Sequence, residues 1–138
     1  MRVVDIDGRK ILDGKVAVIT GGGRGMGKEI AVTFSKAGAN IAVCDLSLQN
    51  LKQVEEEIKA GGGRCLSMAT DISDNQQVEE MMAKVHAHFG RIDILINNAG
   101  ICISRSLLET SVEEWDANMN VNLRGAFLCL QAAAKYMV

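Results

Sequence analysis

Apolar residues along this chain follow two alternating rhythms. Short runs occur at Val16-Ala17-Val18-Ile19, Asn40-Ile41-Ala42-Val43-Cys44, Arg64-Cys65-Leu66-Ser67-Met68-Ala69 and Arg91-Ile92-Asp93-Ile94-Leu95-Ile96. Runs of this length predict strands, and the first two, β-branched and uninterrupted, predict strands buried on both faces. Between them the apolar positions recur every three or four residues. Ile30, Ala31, Phe34 and Ala37 form one helical stripe, begun near Lys28 and ended by Gly38. Leu48, Leu51, Val54 and Ile58 form a second, with Ser47 as the N-cap and Gly61-Gly62-Gly63 as the stop, the run Glu55-Glu56-Glu57 being its solvated face. Val78, Met81, Met82, Val85 and Phe89 form a third, opened by a capping box of Ser73 with Gln76 and broken by Gly90. A long helix is expected from about Val112 to the end, capped by Ser111 and Glu114, with a possible break near Asn118-Met119-Asn120. Trp115 is expected to anchor that helix in the core. Strands alternating with helices predict a parallel sheet with right-handed crossovers and helices on both faces. Residues 1–14 read as a leader, in which Asp7-Gly8 is either a hairpin turn or part of a loose tail.

The first strand runs into five glycines within seven positions, Gly21, Gly22, Gly23, Gly25 and Gly27, before a helix begins. A strand, a glycine turn and a helix together bring backbone N–H groups and a helix N-terminus up to a phosphate, where a side chain would block the approach. The second strand ends in Asp45, 24 residues after Gly21 and 20 after Gly25. An acid there can accept both hydroxyl protons of an adenosine ribose in a βαβ unit; the alternative is a helix cap, a task Ser47 fits better. Asn97-Asn98-Ala99-Gly100 follows the fourth strand directly, and its amides can pin neighbouring backbone while the small residues lie against a ligand. Asn122, amid Val121, Leu123, Ala126, Phe127 and Leu130, is expected to be buried and therefore satisfied, either tying helix to sheet or holding a water.

Composition narrows the function classes. In 138 residues, 48% are hydrophobic, which suits one domain with a real core. A net charge of −2 gives no basic surface for nucleic acid or an anionic membrane. No apolar run approaches the length of a membrane span, and the charged N-terminus lacks the core of a signal peptide. Cys44, Cys65, Cys102 and Cys129 form no metal-binding spacing, and His86 and His88 point different ways on a helix; no metal is expected. The cysteines are expected to be buried free thiols in a reducing cytoplasm. Cys102 and Ser104 lie near the presumed cleft, but no base stands by to activate either.

Taken in order, these motifs resemble the classical short-chain dehydrogenase/reductase family. Thr20-Gly21-Gly22-Gly23-Arg24-Gly25-Met26-Gly27 is similar to its TGxxxGxG motif, with Met26 where Ile is usual, and Asn97-Asn98-Ala99-Gly100 is similar to its NNAG motif. Asp45 matches the acid that favours NAD over NADP, Asp71-Ile72 the pair beside the adenine ring, and Asn122 the family's catalytic Asn. The resemblance implies a doubly wound, Rossmann-like α/β fold with strand order 3-2-1-4 and onward. It implies cofactor contacts from Gly21, Arg24, Gly25, Met26, Gly27, Asp45, Leu46, Asp71, Ile72, Asn98, Ala99, Gly100 and Val121. Arg24 stands where some NADP-preferring members carry a base, but Asp45 would repel a 2′-phosphate, so NAD is expected and NADP less so.

The reaction implied is reversible hydride transfer between an alcohol or carbonyl substrate and the nicotinamide. The family's Ser and Tyr-x-x-x-Lys lie beyond the long helix, and Tyr136 has only two residues after it. The expectation is therefore a leader followed by a cofactor-binding part, 15–138, whose fold lacks its C-terminal half. Such a chain would bind cofactor without turnover, and would pair with a second copy through the Ile92–Ile96 edge or the Trp115–Val138 helix, or else aggregate. The alternative is a stand-alone NAD-binding module acting as sensor or partner subunit.

Overall fold

A computed structural model describes residues 10–137. The proposed Asp7-Gly8 turn lies outside them. Four strands form one parallel sheet: β1 (Val16–Thr20), β2 (Asn40–Asp45), β3 (Cys65–Ala69) and β4 (Ile94–Ile96), in the order β3-β2-β1-β4. The helices are α1 (Gly25–Lys36), α2 (Leu48–Ala60), α3 (Asn75–Phe89), α4 (Val112–Met119) and α5 (Ala126–Met137). The last two are joined by a π turn, Asn120–Gly125.

Every residue of β1 is buried, because alternate side chains enter two different cores. Ala17 and Ile19 join Ile41 and Val43 of β2 under α1 and α2, which contribute Ala31, Leu51, Val54 and Ile58. Val16 and Val18 join Ala42 and Cys44 under α3 and α5, which contribute Val78, Met82, Val85, Cys129 and Ala133. This is the doubly wound, Rossmann-like arrangement. Burying side chains such as these stabilises by roughly 1.5–3 kcal/mol each, so the two cores fix the register that aligns the carboxyl ends of the strands. Leu12 also belongs to this body: its N–H donates to Ala37 O (2.9 Å) and its side chain packs against the α1–α2 core.

Five local expectations are corrected. β4 begins at Ile94 rather than Arg91, since Arg91 turns to pair with Asp93, whose carboxylate takes the Val16 N–H (2.8 Å) at the end of the ladder. The cap of α3 is Asp74, not Ser73: Asp74 Oδ1 accepts from the N–H groups of Gln76 and Gln77, while the Ser73 hydroxyl donates to Asp71. The Ser111–Glu114 capping box is present as expected, yet Trp115 on the same helix is 57% exposed and anchors no core. Asn122 is likewise exposed, as are Leu123, Phe127 and Leu130, because the inward face of α5 is Leu128, Cys129, Ala132 and Ala133. Of the four free cysteines, Cys44, Cys65 and Cys129 are buried and Cys102 is exposed.

Candidate functional site

The carboxyl ends of the strands open on one cavity of about 440 Å³. It lies where β1 sits between β2 and β4, so that the chain leaves neighbouring strands toward opposite faces, the position at which open α/β sheets bind ligands. The glycine turn after β1 supplies Gly21, Arg24, Gly25, Met26 and Gly27 to the cavity, and the end of β2 supplies Asp45 and Leu46. Asp71 and Ile72 enter after β3; Asn98, Ala99 and Gly100 enter after β4; Val121 enters from the π turn. All thirteen residues expected at a cofactor thus share one lining.

The glycine turn is held by β4's continuation. Thr20, fully buried, accepts through Oγ1 from the N–H groups of Asn98 (3.1 Å) and Ala99 (3.0 Å). Asn98 Nδ2 returns two bonds, to Thr20 O and Gly21 O, both 3.0 Å. Gly27 lies so close beneath this clasp that a Cβ would be 2.5 Å from Asn98 Nδ2 and would overlap Gly21 O. Gly25 is the opposite case. Its φ of +53° suits glycine, and a Cβ there would meet no protein atom within 4 Å. The N-cap of α1 is Arg24, which gives no side-chain cap, and no acid stands in the first turn. Ser47, Asp74 and Ser111 cap α2, α3 and α4 with their side chains. The first N–H groups of α1 therefore remain available to an anion in the cavity. An open cradle beside a bare helix terminus fits a dinucleotide pyrophosphate.

Asp45 marks the other end. Its Oδ2 accepts from Gly23 N and its Oδ1 from Ser47 N, each at 3.1 Å, which orients the carboxylate at the rim. Each oxygen keeps further acceptor capacity for a ligand hydroxyl.

Asn122 stands behind the lining rather than in it. Its Oδ1 accepts from Ile101 N and its Nδ2 donates to Ile101 O, both at 2.8 Å, so it grips the backbone that follows Gly100. Asn97 similarly donates to Ala126 O (3.2 Å). Three lining residues escaped the sequence reading: Cys44, Thr70 and Ile101. Cys44 and Thr70 occupy strand-end positions whose neighbours, Asp45 and Asp71, drew attention first. Burial pushes the Cys44 thiol up to about 12, so it is a neutral wall and no nucleophile. Tyr136 stacks on His86 (4.8 Å between ring centroids) and does not line the cavity. Among the described residues no cluster of three or more His, Cys, Asp or Glu could hold a metal, and no helix is long and apolar enough to cross a membrane.

A profile of the short chain dehydrogenase family matches residues 15–138. The chain belongs to that family. Short-chain dehydrogenases are oxidoreductases that bind a nicotinamide cofactor. Over 127 residues the chain is 39% identical to "(2S)-[(R)-hydroxy(phenyl)methyl]succinyl-CoA dehydrogenase subunit BbsD" of Thauera aromatica, covering 92% of this chain and 51% of that protein. A short-chain type dehydrogenase/reductase from Mycobacterium marinum superposes with a TM-score of 0.90 at 37% identity, over 93% of this chain and 52% of the other. A metagenomic short-chain oxidoreductase solved in complex with NADP superposes with a TM-score of 0.86 at 38% identity, over 91% and 57%. The chain spans about half the length, or less, of the curated relatives it matches.

Proposed function

We propose that residues 15–138 are the cofactor-binding part of an NAD(H)-dependent short-chain dehydrogenase that interconverts an alcohol and a carbonyl compound. The observation that carries this reading is the single cavity shared by the glycine turn, Asp45, Asp71-Ile72 and Asn98-Ala99-Gly100. Bound there, the dinucleotide would supply a hydride donor or acceptor at its nicotinamide ring. The N–H groups at the start of α1 would hold the pyrophosphate, and Ile72 would lie against the adenine. Asp45 would accept from the ribose hydroxyls.

Asn122 fixes the Gly100–Ile101 backbone with one donor and one acceptor, leaving a second N–H and a second lone pair. We assign it the catalytic role of holding a water in the proton path. Tyr136, stacked on His86, takes no part as acid or base. General acid/base catalysis needs a proton donor within hydrogen-bond reach; among the described residues the cavity lining offers no Tyr, Lys or His, and its two carboxyl groups, Asp45 and Asp71, are assigned to the adenosine end. The 138-residue chain is therefore expected to bind cofactor without turnover. A cytoplasmic location fits the three buried free thiols.

Calorimetric titration with NADH and NADPH tests the reading. NADH is expected to bind more tightly by about 1–3 kcal/mol, because a 2′-phosphate would face the Asp45 carboxylate. Equal affinities, or tighter NADPH, would show that Arg24 outweighs Asp45 and would overturn the assignment. Absence of binding by either would overturn the cofactor reading itself.

A further inference from the structure

We infer that Arg124 and Gly125 are positioning residues, which couple the wall expected at the adenine to the π turn that carries Val121 and Asn122. The inference rests on the nucleotide reading of the cavity and adds to it a mechanical link between its two ends.

An α-helix interrupted by one π turn displaces the residues within it from the ordinary helical faces. Here the six-residue turn Asn120–Gly125 reaches in two directions. Toward β4, Val121 lines the cavity and Asn122 grips Ile101 through both of its amide atoms. Toward β3, Arg124 Nη1 donates to Ser73 O at 2.6 Å across 51 residues of sequence. Gly125, buried, lies against Ile72: a Cβ would be 2.8 Å from Ile72 Cδ1 and 3.2 Å from Ile72 O. Its backbone is not left-handed, so small size and not conformational freedom is what this position requires.

Ile72 and Ser73 belong to the loop that forms one cavity wall, and the loop is already braced from its other side. Asp71 Oδ1 accepts from both the N–H and the hydroxyl of Ser73 (2.9 and 2.7 Å), and Asp71 N donates to Gln77 of α3. Arg124 and Gly125 close the remaining side. The Asp71–Ser73 wall, the π turn and the Gly100–Ile101 backbone then move as one body. A ligand that settles on Ile72 firms the grip of Asn122 on Ile101.

Amide hydrogen exchange at Ile101, whose N–H donates to Asn122, reads the link directly, and AMP serves as the probe of the adenine end. In the wild-type chain AMP is expected to slow Ile101 exchange by about three- to tenfold. Arg124→Gln should weaken AMP binding by a similar factor and abolish that slowing, and Arg124→Lys, which keeps a charged donor, should restore most of both. Gly125→Ala should act like Arg124→Gln, since its Cβ would press on Ile72 Cδ1, Cγ1 and O at 2.8, 2.9 and 3.2 Å; if Gly125→Ala fails to fold, the Arg124 pair decides alone. Unchanged AMP affinity and unchanged Ile101 exchange in Arg124→Gln would overturn the inference. If the wild-type chain ignores AMP, the nucleotide reading falls. The ligand-free chain then still decides the link, since Arg124→Gln must speed Ile101 exchange at least about threefold and an unchanged rate refutes it.

Discussion

Replacing Thr20 with Val removes one oxygen and little else, yet it should cost much of the stability of the sheet's centre. The side chain is fully buried, and its Oγ1 accepts from Asn98 N and Ala99 N while donating to Ile96 O at 3.4 Å. Valine preserves the shape but leaves the Ala99 N–H facing a methyl group, while Asn98 N keeps its second acceptor, Ile96 O at 3.1 Å. Stranding a buried donor costs about 1–3 kcal/mol. One donor is stranded and the nearby cavity lets water reach part of this site, so the loss should be roughly 1–3 kcal/mol. Against a total of about 5–15 kcal/mol for a domain, that is a large fraction. Thr20→Ser is the control, keeping the acceptor and losing one methyl, for about 1 kcal/mol. Urea unfolding followed by far-ultraviolet circular dichroism measures both, with the slope m checked for constancy. A Val variant within about 0.5 kcal/mol of wild type, or a Ser variant less stable than the Val one, would refute the clasp as a source of stability.

Three further outcomes are expected. Gly25→Ala should fold, with about 1–2 kcal/mol of backbone strain, and lose NADH affinity because its Cβ enters the cradle, whereas Gly27→Ala should fail in folding since its Cβ overlaps Gly21 O; equal stability of the two variants in urea would contradict the geometry. Burial pushes the Asp93 carboxyl up, but the Arg91 guanidinium, the Val16 N–H and Lys15 outweigh it and hold it below the ordinary carboxylate range. A depressed folded pKa stabilises above the unfolded value and is lost as pH falls through the folded one, so the stability gap between wild type and Asp93→Asn should be about 1 kcal/mol at pH 7 and should close below about pH 4. A gap that persists at pH 2 would be inconsistent with that assignment. The apolar side chains Trp115, Leu123, Phe127 and Leu130 are each more than half exposed, and β4 is an edge strand among the described residues, so the 138-residue chain is expected to self-associate; light scattering that reports a stable monomer would sink this.

The sheet was legible because β1 and β2 are buried on both faces and so read as unbroken apolar runs, Val16–Ile19 and Ile41–Cys44. The glycine turn, Asp45 and Asn98-Ala99-Gly100 were legible because they sit at strand ends, where a glycine turn, an acid or an amide breaks the apolar pattern, whereas Leu46, Asp71, Ile72 and Val121 were expected from the family resemblance alone. Inside the helices the pattern misled. Leu123, Phe127 and Leu130 are as apolar as Leu128 and Cys129, so periodicity could not tell which stripe of the last helix faces inward. The same ambiguity placed Trp115 in the core and Asn122 among buried neighbours. Near α3, Ser73 and Asp74 are both good caps, and only the bond from the Ser73 hydroxyl to Asp71 shows why Asp74 takes the role. The π turn starts at Asn120, within the break expected at Asn118-Met119-Asn120, but its extent to Gly125 has no sequence signature.

The clasp on the glycine turn also sets an order in time. Asn98 reaches Thr20 across 78 residues, and Asp93 reaches Val16 across 77. On a ribosome, where the N-terminal part of a chain emerges first, β1, α1, β2, α2 and β3 are all synthesised before Asn98 exists. These elements can pair β1 with β2 and β2 with β3, but β1 still shows one open edge and its glycine turn is held from the β2 side alone, by Cys44 O and Asp45. Pairings this far apart in sequence close slowly. Affinity for a nucleotide should therefore arise in one late step, when β4 docks, rather than grow with the length of chain made.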